Sequence, residues 1–128
     1  MAVLLAAAPL AAHHSFAAEY DSKKPVELTG KLIELEWVNP HAWIHLEVMG
    51  SDGKAAKWSF ELGSPNILMR NGWRRDSLKQ GDVIIVSGSA ATDGSNMANA
   101  RTVKREDGSR VFNAGSSGDP GTPGANSK

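Results

Sequence analysis

The chain has 128 residues, with 14 Lys and Arg balanced by 14 Asp and Glu, four histidines and no cysteine. That length holds one domain with a modest core, and a net charge of zero gives no global field for a phosphate backbone, so nucleic acid is set aside as a partner. Without cysteine there is neither a disulfide framework nor a Cys-ligated zinc site.

Met1 to Ala12 is an apolar run too short for a bilayer span, which takes roughly 20 residues. Its small-residue end matches the cleavage end of a secretory signal, so residues 1–12 are read as a partial signal peptide, and the missing charged n-region places the true start further upstream. The expected location is periplasmic or secreted, with no stable membrane insertion after cleavage. Cleavage after Ala12 exposes His13, cleavage after Ala11 leaves Ala12-His13-His14, and a cut near Ser15 and Ala17 removes both histidines.

Residues 13–25 lack a period of either 2 or 3.6 and read as an extended arm anchored by Phe16 and Tyr20. Val26 to Val38 is the first strand: Val26, Leu28, Gly30 and Leu32 alternate with polar residues, then the apolar phase slips to Ile33, Leu35 and Trp37, which calls for a β-bulge. Asn39-Pro40 is a turn, because proline lacks an N–H and pushes its predecessor to extended geometry. From His41 to Val48 one face carries Ile44, Leu46 and Val48, and the other carries His41, Trp43, His45 and Glu47. Asp52-Gly53 makes a hairpin turn into a third strand, Lys57 to Leu62, with Trp58, Phe60 and Leu62 inward.

Ser64, Pro65 and Gly72 punctuate a helix of about two turns: an N-cap, a first helical position and a left-handed stop. Val83 to Gly88 is a continuous apolar run that reads as a strand buried on both faces. Asn99 to Lys104 is the fifth strand and Arg110 to Phe112 a short sixth one. The last residues are Gly, Ser, Pro, Asp and Asn, too polar to offset the entropy of ordering. The expectation is a mainly β fold, a small five- to six-stranded OB-like barrel over residues 26–113 with one short helix between strands 3 and 4, and a disordered tail over 114–128.

The sharpest chemical pattern is His13-His14. A terminal His13 offers an amine and an imidazole to one copper ion, with a second histidine completing a brace; a terminal Ala12 instead makes His14 the imidazole of a square-planar Cu(II) or Ni(II) site. His41 is the candidate partner for such N-terminal ligands. His41 and His45 alone do not make a site, since four residues along a strand span roughly 13 Å. Trp43, with His45 beside it, is a candidate platform for a sugar ring or other small ligand, or a side chain covered by the arm. Arg70, Arg74, Arg75 and Lys79 form a basic cluster, and Glu34, Glu36, Glu47 and Glu61 stand on outer strand faces. No nucleophile, phosphate-loop or His-Glu-x-x-His pattern is present, so the chain is read as not an enzyme.

His13-His14-Ser15-Phe16 with Glu19-Tyr20-Asp21, Glu36-Trp37-Val38-Asn39-Pro40-His41, Glu61-Leu62-Gly63-Ser64-Pro65-Asn66, Gly72-Trp73, Arg75-Asp76-Ser77-Leu78-Lys79, Gly81-Asp82 and Asp93-Gly94-Ser95-Asn96 together carry a resemblance. They resemble the successive motifs of a family of small exported bacterial proteins with a domain of unknown function (DUF6152). The resemblance implies export and a β-rich domain, and it supplies no activity. The reading is therefore an exported, non-catalytic binding or interaction module for a small ligand or an envelope protein. A periplasmic Cu(II)-binding protein using His13, His14 and His41 is the first alternative, and a carbohydrate-binding module using Trp43 the second.

Overall fold

The computed structural model of the chain describes residues 16–109 and 111–115. After a helical turn at residues 16–19, six strands and one helix follow: β1 (Tyr20–Glu36), β2 (Trp43–Met49), β3 (Ala55–Glu61), α1 (Pro65–Arg70), β4 (Val83–Ala91), β5 (Met97–Arg105) and β6 (Val111–Asn113). The sheet runs β3-β2-β1-β4-β5-β6, and a further pairing of β3 with β5 closes the first five strands into a ring. That closing pair is parallel, Ser59 to Glu61 against Met97 to Asn99, and the other pairings are antiparallel. The result is mainly β and OB-like, with the one short helix of the strand region between β3 and β4.

β1 is the hinge strand of the ring because its length lets it serve two neighbours. Its first two thirds pair with β4 and its last third with β2. A register shift between Leu32 and Glu34 marks the slip in apolar phase: Leu32 is buried, Leu35 and Trp37 pack against the core, and Ile33 is the extra residue of the bulge. Ile33 is 39% exposed, so its expected inward orientation is corrected. Inside the ring, Leu32, Ile44, Leu46, Phe60, Ile84, Val86 and Val103 are almost fully buried and make one continuous core with Leu62, Leu68, Trp73 and Phe112. α1 has the expected ends: Ser64 Oγ accepts from the Ile67 N–H, Pro65 opens the helix, and Gly72 follows with φ 90°. The Asn39-Pro40 turn contains a cis peptide bond.

Boundaries and burial differ from the sequence reading at β1, at β4 and at the C-terminal end of the fold, and β3 and β5 each begin two residues earlier than read. β1 begins at Tyr20 and not Val26, because Tyr20 and Asp21 already pair with Ala91 and Ala90. β4 alternates, with Ile84 and Val86 inward and Val83 exposed, instead of being buried on both faces. Ala114 and Gly115 belong to the fold, since Ala114 is fully buried and bridges the Gly63 N–H and the Arg101 carbonyl. Residues 116–128 lie outside the described residues. Among the described residues no helix is long and apolar enough to cross a membrane.

Candidate functional site

Because Ile44, Leu46 and Val48 fill the core, Trp43, His45 and Glu47 stand on the outer face of β2. The registers then set three rows across β1, β2 and β3: Glu36-Trp43-Glu61, Glu34-His45-Ser59 and Lys31-Glu47-Lys57. The last row sets one carboxylate between two lysines, with a net charge of +1. The other two rows, nearer the Asn39-Pro40 turn, carry the chemistry.

Glu61 is the node of the first row, and its side chain is 13% exposed. Its Oε2 accepts from the Tyr20 hydroxyl at 2.7 Å, and its Oε1 lies 2.7 Å from His41 Nδ1. Burial foremost, and then the adjoining Glu61 carboxylate, push the Tyr20 hydroxyl far above its usual range, so it stays neutral and donates. An ionised carboxylate only accepts, so His41 Nδ1 carries a hydrogen and the neutral ring keeps its lone pair on Nε2. The His41 side chain is 40% exposed. A carboxylate behind one ring nitrogen, with the other meeting no partner among the described residues, is the support that metal-ligating histidines have.

His45 is arranged in the opposite way. Its Nδ1 meets Ser59 Oγ at 2.8 Å and its Nε2 meets Glu36 Oε2 at 2.9 Å, so both ring nitrogens are engaged. Glu36 accepts from Nε2–H, and Nδ1 then accepts from the Ser59 hydroxyl. Hydroxyl, imidazole and carboxylate follow in the order of acyl-transfer enzymes, but with the two ring nitrogens interchanged. The Ser59 N–H, however, is committed to the Asn96 carbonyl at 3.1 Å, so the would-be nucleophile supplies no oxyanion donor. The chain of bonds pins β1, β2 and β3 together, and it fixes the ring beside Trp43.

The N-terminal segment closes the site on one side. Phe16 and Tyr20 are buried but lie outside the main core cluster, with ring centroids 5.5 Å apart. The Thr92 N–H donates to the Glu19 carbonyl at 2.9 Å, and Thr92 Oγ1 donates to Ala18 O at 2.9 Å. Tyr20 pairs with Ala91 of β4, yet its hydroxyl reaches Glu61 on β3, with β5 in between. At about 4.8 Å between strands, the ring has to cross β5 on the outer surface. Ser89 and Asn99 pair there, 0% and 2% exposed, and Ser89 Oγ and Asn99 Oδ1 have no hydrogen-bond partner among the described residues.

Of the residues singled out from sequence, His41, Trp43 and His45 share this face, while His13 and His14 lie outside the described residues. Among the described residues no group of three or more His, Cys, Asp or Glu is placed to hold a metal ion. Arg70, Arg74, Arg75 and Lys79 are exposed, away from these rows in sequence and on α1 and the loop after it. Sequence reasoning found Tyr20 as an anchor and Glu36 and Glu61 as outward carboxylates, but did not join them to the histidines, and it missed Ser59. The signal lay in the shared outward phase of each strand; the registers that join them were not readable.

The fold and this face define a small OB-like β domain with an aromatic and polar outer surface. Residues 2–100 match the family of unknown function DUF6152, and the chain belongs to that family. No curated protein matches. Among solved structures, the chain is similar to TiaS in its complex with tRNA and ATP, with 19% identity and a TM-score of 0.46 over 66% of this chain and 18% of that one. It is also similar to the ZRD-deleted mutant of TiaS in complex with agmatine, with 15% identity and a TM-score of 0.44 over 73% of this chain and 27% of that one. The chain thus spans about a quarter or less of either neighbour, and nothing of their activity is carried over.

Proposed function

We propose that the chain is an exported, non-catalytic binding module that takes a small ligand or an envelope protein on the outer face of β1 to β3. The observation that carries this reading is Trp43, half-buried on the outside of β2 between Glu36 and Glu61, each of which is tied to a histidine. A large ring held among fixed polar groups is a ready contact surface, and aromatic stacking contributes about 1–3 kcal/mol per stacked ring. Sugars are one ligand class that such a ring accommodates. In a binding screen of glycans and periplasmic extract, Trp43→Ala is expected to weaken the resulting complex roughly tenfold or more, with Trp43→Phe in between. Equal affinity of Trp43→Ala and wild type would move the site elsewhere.

A second reading, Cu(II) binding in the periplasm by His13, His14 and His41, is favoured by the Nε2 of His41, which meets no partner among the described residues, and by the carboxylate behind its Nδ1. Imidazole and amine ligands suit Cu(II). Calorimetric titration of the export-processed protein with Cu(II) tests it: His41→Ala and one extra residue before His13 should each weaken binding, and Glu61→Gln should weaken it about 10- to 100-fold. Unchanged affinity in all three variants would sink this reading.

A further inference from the structure

We infer that Glu61 couples the docking of the N-terminal strap, residues 16–21, to the orientation and occupancy of His41, so that the strap responds to whatever His41 binds. This rests on the reading of His41 as a ligand-bearing group, but its ligand-free half stands on geometry alone.

The strap is a separable piece of the fold. Pairing between β1 and β4 jumps from Asp21 with Ala90 to Pro25 with Ser89, so Ser22, Lys23 and Lys24 have no partners on β4 and are exposed. Those three residues form a hinge between the strap and the body of β1. Beyond the hinge, the strap is held by the short pairing of Tyr20 and Asp21, by two hydrogen bonds from Thr92, and by the bond from the Tyr20 hydroxyl to Glu61. Under it, Ser89 Oγ and Asn99 Oδ1 are buried without partners among the described residues. Buried polar atoms that lack partners oppose the docked state, because undocking lets water reach them. The burial of Phe16 and Tyr20 favours docking, and the charge-assisted bond from Tyr20 to Glu61 adds to it.

On its other side Glu61 governs His41. The backbone next to His41 is fixed, since the Ala42 N–H donates to the Gly63 carbonyl and the Leu62 N–H to the Ala42 carbonyl. Among the described residues, ring orientation and tautomer are set by the carboxylate contact at Nδ1. One carboxylate thus holds the strap with Oε2 and the imidazole with Oε1. Losing either partner frees Glu61 to rotate, and the coupling runs equally in both directions.

The test needs no ligand. Tyr20→Phe keeps the ring against Phe16 and removes only the hydroxyl, and His41→Ala removes the imidazole. At one fixed pH near neutrality, ring nitrogen chemical shifts report the His41 tautomer, and amide hydrogen exchange at Thr92 reports strap docking. Exchange at β2 and β3 ladder amides verifies that the ring stays folded. The expected result is a smaller share of the Nδ1–H tautomer in Tyr20→Phe, with Thr92 exchange faster by about tenfold in Tyr20→Phe, as loss of one hydrogen bond to a charged group predicts, and faster by a smaller factor in His41→Ala, where that bond remains but Glu61 is freed on its other side. An unaltered tautomer in Tyr20→Phe, or unaltered Thr92 exchange in His41→Ala, would overturn the coupling. Adding Cu(II) alone separates the two ideas: absence of binding with both couplings intact sinks only the metal reading.

Discussion

Gly88 occupies the tightest approach between β4 and β5. The pairing there passes from Ser87 with Thr102 to Gly88 with Ala100, leaving Arg101 as an extra residue on β5. A Cβ at position 88 would fall well inside the van der Waals contact distance of the Asn99 carbonyl oxygen. A backbone oxygen in a ladder cannot rotate aside as the end of a side chain can, so the cost of Gly88→Ala belongs at or above the upper end of the usual overpacking range, about 3 kcal/mol. Urea unfolding should show the midpoint falling accordingly, and a variant as stable as wild type would mean that β5 moves away freely. From sequence, Gly88 looked only like the end of an apolar run. Its necessity comes from Asn99, eleven positions later in the chain, and appears only when both strands are in register.

At the scale of elements, β6 and the residues after it complete what the ring leaves open between β3 and the far end of β5. Phe112 is buried against Trp73 with ring centroids 4.6 Å apart, and the Trp73 Nε1–H donates to the Asn113 carbonyl at 2.8 Å. Gly63 and Gly115 approach so closely that a Cβ on Gly63 would meet the Gly115 backbone. The small residues that made this stretch look like the start of a tail are needed for that contact. Phe112→Ala is accordingly expected to cost about 3–5 kcal/mol, the range for deleting a buried aromatic ring. Ser64→Ala removes only a cap bond of 3.3 Å to Ile67 and should cost about 1 kcal/mol. Denaturant titrations of the two variants should rank them in that order; the reverse order would place the anchor of this region in α1 instead of β6.

The helix and the three-strand meander were readable because their signals are local: Ser64-Pro65, Asp52-Gly53 and the alternation of Ile44, Leu46 and Val48 each act within a few residues. The start of β1 was not, since Ser22, Lys23 and Lys24 bulge away from β4 and interrupt the alternation that marks a strand. The same limit hid the two chains of side-chain bonds. Tyr20, His41 and Glu61, like Glu36, His45 and Ser59, come from different strands or the turns beside them, and only the cross-strand registers bring them together.

For the whole molecule, the buried Tyr20 hydroxyl makes the ring's closure sensitive to alkali. Tyr20 is 2% exposed, it is the one tyrosine in the chain, and its hydroxyl is held neutral far above the range near 10 where a free phenol ionises. In the unfolded chain the same group loses its proton at about pH 10. Below that pH both states keep the proton, and the contribution of Tyr20 to stability is fully present. Above it the unfolded state binds fewer protons than the folded one, so stability declines as pH rises. Phenolate absorbance near 295 nm should therefore stay flat through pH 10 in the folded protein, rise at that pH in strong denaturant, and otherwise appear only together with undocking of the strap or unfolding. Tyr20→Phe should remove part of the alkaline loss of stability, while the other ionising groups keep theirs. A smooth phenolate titration centred near pH 10 with native circular dichroism retained would show that burial and Glu61 do not hold the Tyr20 hydroxyl neutral, and would overturn the docked arrangement of the strap.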